Sequence, residues 1–229
     1  MQVSKIPNIN YQYTPQPQPQ QITKAPKVDK KVLISSLLGA GLTTGAVLYK
    51  ASKGGNFKFS QFHYNDKQLI LIGAGSVLGG LLGGHLSDDK KNMKYKYKEG
   101  LHQFFGNILA PIGVLACSEK LLDTTKVLTK VKQPFSSIIK IGTTVGSLIL
   151  GMHLGNSIVS KFTDKIFNEK DDHKIKIEDY SVHMDDLCMA ISHIGKGSVI
   201  SRVAAHCLPF AFLLSGYKTG AAKGEAEKK

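Results

Sequence analysis

Uncharged apolar stretches alternate with short charged segments along most of this chain. Four of these stretches contain eighteen to twenty residues without Asp, Glu, Lys or Arg. An α-helix rises ~1.5 Å per residue, so each stretch is long enough to cross the roughly 30 Å hydrocarbon core of a bilayer. The pattern predicts transmembrane helices near residues 32–49, 68–87, 101–118 and 141–160.

A fifth apolar stretch near the C-terminus is shorter than the other four. Residues 203–217 give fifteen uncharged positions between Arg202 and Lys218. The stretch reaches spanning length if its helix begins near Ser198 and the Arg202 side chain extends to the interface. We therefore predict a fifth span at residues 198–217. The predicted fold class is an all-α, multi-pass transmembrane helical bundle of four or five spans.

Small residues lie on one side of the stretch at residues 68–87. At about 100° per residue, its glycines and Ser76 fall in one half-circle, and Ile70, Val77, Leu78, Leu81 and Leu82 fall in the other. In lipid, close backbone contact holds helices together, and glycines four residues apart permit that contact. In water, each such glycine costs ~1 kcal/mol relative to alanine. The predicted helix-packing residues of the whole chain are Gly41, Gly45, Gly75, Gly79, Gly80, Gly83, Gly84, Gly142, Gly146, Gly151 and Gly155.

The same glycines also permit a competing prediction, a dinucleotide-binding turn. Residues 67–79 have the pattern of a strand followed by G-x-G-x-x-x-G and a helix. That fold needs a second buried strand ending in an acidic residue, and residues 88–100 are too charged to form one. The membrane helix is therefore the favoured interpretation, and we predict no cofactor.

Charge and cysteine content narrow the class of protein. The chain has 30 Lys+Arg against 17 Asp+Glu, a net charge of +13, but Arg202 is its only arginine. Bidentate contacts to phosphate and guanine favour arginine, and these lysines lie mainly between the apolar stretches, so no nucleic-acid partner is predicted. Cys117, Cys188 and Cys207 lack the spacing of a metal site. The predicted location is a bacterial inner membrane or an organelle membrane.

The segments outside the apolar stretches are polar. Residues 1–31 contain a Pro/Gln-rich run, which predicts a disordered tail. Residues 161–197 are highly charged, but apolar residues from Met184 to Ile194 recur at helical spacing and predict a charged loop with an amphipathic helix. Residues 218–229 are predicted to form a polar tail.

The distribution of lysines gives a weak prediction of orientation for five alternating spans. With the N-terminus inside, the inner segments hold fifteen lysines, in residues 1–31, 88–100 and 161–176. The outer segments hold twelve, in residues 50–67, 119–132 and 218–229. Lysine and arginine are retained on the inner side of membranes, so this small difference favours an inner N-terminus.

Histidines form the one group of residues near the predicted spans that could carry chemistry. In five alternating spans, His85, His102, His153 and His193 would approach the same membrane face. Histidines at one depth can bind a transition metal or haem, or pass protons, so His102, His153 and His193 are candidate ligands. His85 with Asp88 and Asp89, and His183 with Asp185 and Asp186, are candidate groups for a divalent ion. The competing interpretation is that all these groups are solvated at the interface, and no metal is assigned.

No motif in the chain predicts an enzyme. The sequence contains no G-x-S-x-G elbow, no H-E-x-x-H pair and no P-loop, so no catalytic residue is predicted. The favoured function is a structural or assembly subunit that packs through glycine-rich helix faces against itself or another membrane protein within the lipid bilayer. The alternatives are a small transporter or metal- or haem-carrying membrane protein that uses the histidines, and a membrane-permeabilising protein.

Overall fold

The computed structural model describes residues 28–54, 58, 62–88, 90–132, 135–168 and 199–224, and every element within these ranges is a helix. The elements are α1 (Lys30–Ser52), α2 (Asp66–Ser87), a 3₁₀ turn (Lys90–Asn92), α3 (Met93–Leu101), a π-helical segment (His102–Leu109), α4 (Ala110–Thr125), α5 (Val127–Lys130), α6 (Phe135–Phe167) and α7 (Val199–Ala221). The prediction of an all-α chain is confirmed for the described residues.

Four helices of the described ranges are long and apolar enough to cross a membrane. They are Lys30–Ser52, Asp66–Ser87, Met93–Thr125 and Phe135–Phe167, and they contain the four predicted stretches. The third combines α3, the π segment and α4 in one rod of 33 residues. At the predicted fifth span lies α7, a helix of 23 residues with Pro209 inside it.

Two details of the sequence-based predictions change. Residues 66–87 form one continuous helix, so the strand required by a dinucleotide-binding turn is not present there and that alternative is wrong. Helix α6 continues to Phe167, so residues 161–167 are helical and do not belong to the predicted loop. The predicted N-terminal tail up to residue 27 and the predicted amphipathic helix lie outside the described residues.

Side-chain caps fix where the first two long helices begin. The Asp29 carboxylate accepts hydrogen bonds from the backbone N–H groups of Lys31 and Val32, at 3.0 and 3.3 Å. Asn65 and Gln68 cap α2 reciprocally, each side chain bonding the backbone N–H of the other residue. These bonds satisfy N–H groups that a helix leaves unpaired in its first turn.

Contacts along α2 set the directions of its two neighbours. Gly79 lies against Ser35 and Gly83 against Val32, so α1 runs antiparallel to α2. On the neighbouring face of α2, the Ser76 hydroxyl donates to the Phe212 carbonyl at 2.7 Å, and Gly84 lies against Gly220. Residue numbers therefore rise together along α2 and α7, and these two helices are parallel.

Helix α6 packs antiparallel to the rod formed by α3, the π segment and α4. Gly151 contacts Pro111, and Gly155 contacts Gly106. The ring of Phe167, the last residue of α6, lies 5.9 Å from the Lys94 Nζ and 5.8 Å from the Lys98 Nζ. Helix α6 thus ends beside the beginning of α3.

One end of the molecule, called here the Lys96 face, is where α1 and α3 begin and α2, α6 and α7 end. Lys96 reaches the last turn of α7, since its Nζ donates to the Gly220 and Ala222 carbonyls at 2.5 and 3.2 Å. The alternating arrangement assumed above for five spans placed residues 218–229 opposite residues 88–100. That assumption is wrong, because the end of α7 and residues 88–100 meet at the Lys96 face.

The apolar core lies where α2, the π segment, α4, α6 and α7 meet. Its buried side chains are Leu69, Ile72, Val77, Ile108, Ile112, Leu115, Leu148, Leu208 and Phe212, joined by Val47 of α1. Phe62 and Tyr64 pack against this core just before α2, with their rings edge to face at 5.1 Å. Burial raises the pKa of the Tyr64 hydroxyl, because the charged phenolate is poorly solvated there.

Candidate functional site

Helices α1 and α2 meet through glycine at backbone distance. A Cβ atom built on Gly39 would collide with the Gly75 carbonyl, and one on Gly79 would collide with the Ser35 carbonyl. On Gly75 it would lie 2.6 Å from the Thr43 hydroxyl, which donates to the Gly39 carbonyl at 2.8 Å. No residue larger than glycine fits at these positions without moving a helix.

Helices α2 and α7 meet in the same way on the neighbouring face of α2. A Cβ atom on Gly80 would collide with the Gly216 carbonyl, and one on Gly84 would lie 2.6 Å from the Gly220 carbonyl. Of the glycines predicted in α2, therefore, Gly75, Gly79 and Gly83 face α1, and the other two face α7. The glycines of α7 were missed in the sequence, although Gly216 and Gly220 have the same four-residue spacing.

The other predicted glycines fall into two groups. A Cβ atom on Gly151 would lie 2.5 Å from the Pro111 Cα, and one on Gly155 would lie 2.8 Å from the Gly106 carbonyl. In contrast, no heavy atom of another described helix lies within 4 Å of a Cβ atom built on Gly41, Gly45, Gly142 or Gly146. The first group faces the rod of α3, the π segment and α4, and the second is uncovered in the single chain.

Polar side chains form a continuous hydrogen-bonded chain between the π segment and α6. Gln103 donates to the Glu99 carboxylate at 2.8 Å, and Asn107 donates to the Gln103 side-chain oxygen at 3.3 Å. Asn156 of α6 then donates to the Asn107 side-chain oxygen at 2.7 Å. The chain ends at His102, whose Nδ1 lies 3.0 Å from the Asn156 side-chain oxygen.

The π geometry brings His102 and Asn107 to the same residue of α6. In an α-helix, residues five apart differ in direction by about 140°, so His102 and Asn107 would face different neighbours. A π-helix pairs residues five apart along its axis, and the Ala110 N–H accordingly bonds the Phe105 carbonyl. His102 and Asn107 therefore both contact Asn156. Pro111, which lacks an N–H, is the second residue after this segment.

Lys96 forms the second polar cluster, at the Lys96 face. Its side chain is 1% exposed, and besides the two α7 carbonyls it pairs with the Asp88 carboxylate at 3.2 Å. Asn92 donates to the same carboxylate at 3.1 Å. A cation is favourable at the end of α7, because the last carbonyls of a helix carry partial negative charge. The role of Lys96 was not predicted from the sequence, because this residue lies within a run of charged residues.

The predicted metal ligands are not brought together in the described part of the chain. His102 is buried, whereas His85 and His153 are exposed. His193 lies outside the described residues. It was predicted near the other histidines because five alternating spans would give α7 the opposite direction. Within the described residues, no group of three His, Cys, Asp or Glu side chains could hold a metal ion.

The two predicted divalent-ion groups have different outcomes. Asp88 is engaged by Lys96 and Asn92, and Asp89 lies outside the described residues, so the first group is only partly described. The second group, His183 with its two aspartates, lies wholly outside them and stays a prediction.

Comparisons of this chain with protein-family models, with curated proteins and with solved structures found no match.

Proposed function

We propose that this chain is a multi-pass integral membrane protein that serves as a structural or assembly subunit. The observation that carries the proposal is the inverted distribution of its side chains. Leu42 and Ile158 point outward with 72% and 66% of their surfaces exposed, while Ser36, Ser76 and Thr163 are fully buried. A water-soluble helix buries its apolar side chains and exposes its polar ones. Lipid is the solvent that suits the opposite arrangement.

The glycine faces give the proposed subunit its way of assembling. Within the chain, α1, α2 and α7 pack through glycine at backbone distance, a mode that is effective in lipid because it maximises dispersion contacts. The uncovered pair on α1, Gly41 and Gly45, offers the same surface to a further helix. The partner proposed first is a second copy of this chain, in which the same pair meets itself across a twofold axis. Gly142 and Gly146 of α6 offer a further uncovered pair.

Membrane integration is tested by fractionating cells that express the full chain. We expect the protein to stay with the membrane pellet after washing at high pH and to require detergent for release. Recovery of the chain in the supernatant without detergent would contradict the proposal.

Self-association is tested by cross-linking the full chain in vesicles. The double substitution Gly41→Leu with Gly45→Leu places two bulky side chains on the uncovered pair and should lower the dimer population about tenfold, equivalent to roughly 1.4 kcal/mol. Gly113→Leu is the matched control, because Gly113 is also uncovered but has no glycine four residues away. Equal dimer populations in all three proteins would contradict the role of the α1 pair. A monomeric wild-type chain would contradict self-association.

A second candidate function, a small transporter or a metal- or haem-carrying protein, is supported by the polar chain at the π segment. Ionisable residues buried in a membrane helix, such as His102, mark solute or proton pathways, and π segments are frequent at functional sites. We expect a carrier to lose bound haem or metal when His102, His153 and His193 are replaced by alanine. A purified variant with the same haem or metal content as the wild-type protein would contradict this candidate function.

A further inference from the structure

The helices of the bundle differ in length, and the difference appears at one end. Helices α1, α2 and α7 contain 22 or 23 residues, whereas α6 and the rod of α3, the π segment and α4 each contain 33 residues. At ~1.5 Å per residue, α6 and the rod are roughly 15 Å longer than the other helices. At the Lys96 face the ends lie together, since Lys96 lies against Gly84 and the Phe167 ring lies beside Lys94. The extra length therefore extends past the opposite ends of α1, α2 and α7.

Contacts between α2 and the rod show where this extension begins. Residue numbers rise along the rod as they fall along α2, from the contact of Lys96 with Gly84 to that of Ile108 with Gly73. Continued at the same rate, the rod is level with the start of α2 near Leu115, the last buried residue of α4. The remaining residues of α4 rise ~15 Å beyond the start of α2.

The connection between α4 and α6 lies in this extension and is called here the crest, residues 119–132 and 135–140. The Ser147 hydroxyl donates to the Ser118 hydroxyl at 2.7 Å, so the two helices are still paired just below the crest. The headgroup layer on each side of a bilayer is roughly 5–8 Å thick, so the crest begins at the height of the lipid headgroups. Its large apolar side chains are nevertheless 59–64% exposed at Leu121, Phe135 and Ile138.

An exposed apolar stripe of α6 connects the bundle to the crest. Ile149, Val145, Ile141 and Ile138 recur every three or four residues on one side of α6, and each exposes 40–59% of its surface. In the proposed bilayer, the Ile149 end of this stripe contacts lipid chains. A soluble protein could cover the crest but not the part of the stripe within the hydrocarbon core, whereas lipid covers both without interruption. The stripe thus favours the membrane surface as the partner of the crest.

Lysines surround the apolar side chains of the crest. Residues 119–140 contain five lysines against Glu119 and Asp123, a net charge of +3. The lysines are Lys120, Lys126, Lys130, Lys132 and Lys140, and the first four are exposed. Lysines held near a membrane are attracted by the phosphates of anionic lipids, and several lysines add their contributions. Charge therefore selects anionic headgroups among the lipids that the crest could meet.

We propose that the crest binds the anionic headgroups of the membrane through its lysines, while Leu121, Phe135 and Ile138 contact the acyl chains beneath. The proposal rests on the proposed function, because it requires that the helices span a bilayer. The α4 and α6 pair leans towards the membrane plane at this face, within the range of tilts that membrane helices adopt. The proposed subunit thereby gains a preference for membranes that contain anionic lipid.

A single tryptophan reports where the crest lies, because the native chain contains none. Full-length Phe135→Trp is reconstituted in vesicles of phosphatidylcholine alone or with equal amounts of phosphatidylglycerol. We expect quenching by phosphatidylcholine with brominated chains to be about twofold stronger in the anionic vesicles, and quenching by aqueous acrylamide to be weaker. High salt should remove the difference, because it screens the attraction. Equal quenching in both vesicle types would overturn the proposal. Leu121→Trp repeats the measurement from α4 if Phe135→Trp fails to fold.

Replacing three crest lysines in the Phe135→Trp protein assigns the effect to their charge. The crest variant carries Lys126→Gln, Lys130→Gln and Lys132→Gln. The matched control removes the same charge from exposed lysines at the ends of α1 and α2 on the same face, by Lys50→Gln, Lys53→Gln and Lys67→Gln. The crest variant should lose the difference between the two vesicle types, and the control should keep it. Equal losses in the two variants would overturn the role of the crest.

Three further measurements separate other outcomes. Inorganic phosphate added to the phosphatidylcholine vesicles should leave the quenching of Phe135→Trp unchanged, and an increase would overturn lipid as the ligand. A crest tryptophan fully accessible to acrylamide in both lipid mixtures would overturn lipid binding in favour of a soluble partner. Ile158→Trp, at an outward position of α6 within the span, should be quenched by the brominated lipid in every mixture. Absence of that quenching would instead contradict the proposed membrane integration.

Discussion

Two regions of this molecule bring helices together by different means. In the first, formed by α1, α2 and α7, glycines place backbone against backbone, and the Ser76 hydroxyl bonds the Phe212 carbonyl. In the second, formed by α6 with the π segment and α4, Gly151 and Gly155 also meet backbone atoms, but amide and hydroxyl side chains add hydrogen bonds between the helices. We therefore expect added atoms to disturb the first region most, and loss of a hydrogen-bonding group to disturb the second. Lys96 joins the two regions, since it belongs to α3 and binds the end of α7.

Replacing Lys96 by methionine should have the largest effect of the changes considered. The variant keeps a side chain of similar length but removes the ammonium group that binds Asp88 and two helix-terminal carbonyls. Breaking a buried ion pair from one side costs about 3–5 kcal/mol. The measurement is the free energy of unfolding in detergent. Lys90→Met, at an exposed position in the preceding turn, is the control and should change it by less than about 0.5 kcal/mol. Equal losses in both variants would mean that Lys96 does not join the regions.

Replacing Gly80 by valine tests the glycine region alone. The added atoms meet the Gly216 backbone, so α7 must shift away from α2. Overpacking of this kind costs about 1–3 kcal/mol, and we expect a lower thermal midpoint together with faster proteolysis of α7. Gly113→Val carries the same helix-propensity change at an uncovered glycine. If Gly113→Val is equally destabilised, propensity rather than backbone contact accounts for the loss.

Replacing Asn156 by leucine tests the hydrogen-bonded region. It removes the bonds to Asn107 and His102 and leaves both groups buried. Interhelical hydrogen bonds in membranes are worth about 1–2 kcal/mol in model systems, so the free energy of unfolding should fall by roughly that amount. Ser157→Leu, at the neighbouring exposed position, should leave it nearly unchanged. A more stable Asn156→Leu protein would show that packing, not polar bridging, holds α6.

Replacing Ser147 by alanine should have the smallest effect. Its hydroxyl donates to the Ser118 hydroxyl at 2.7 Å, a side-chain bond between α6 and α4. Such bonds average about 0.6 kcal/mol in a folded membrane protein. A double-mutant cycle with Ser118→Ala measures the coupling directly. A coupling energy of zero would contradict the bridge.

The long helices could be predicted because their signals are local. The length of an uncharged stretch directly predicts a helix such as α2. The helical period alone then places the glycines of α2 on one side. Reliance on local signals also explains why two packing glycines of α7 were not predicted. Gly216 and Gly220 flank Lys218 at the end of a short stretch, which concealed their resemblance to the glycines of α2.

The direction of α7 and the role of Lys96 could not be predicted. The prediction of alternating spans uses only the order of the apolar stretches along the chain. The direction of α7 is determined by its contacts with α2, whose residues are distant from it in sequence. A lysine within a charged run looks solvated until the folded chain brings carbonyls and a carboxylate around it. The π segment has no sequence signal of its own apart from the following Pro111.

The π segment also holds one residue more than an ordinary helix would need there. Deleting the outward-facing Phe105 leaves His102 and Asn107 four residues apart, and an α-helix places residues at that spacing on one face. Both side chains then remain directed at Asn156, and the change touches neither Lys96 nor Pro111. The wide turn is therefore the place where the rod can lose a residue and keep the contacts on both sides of it.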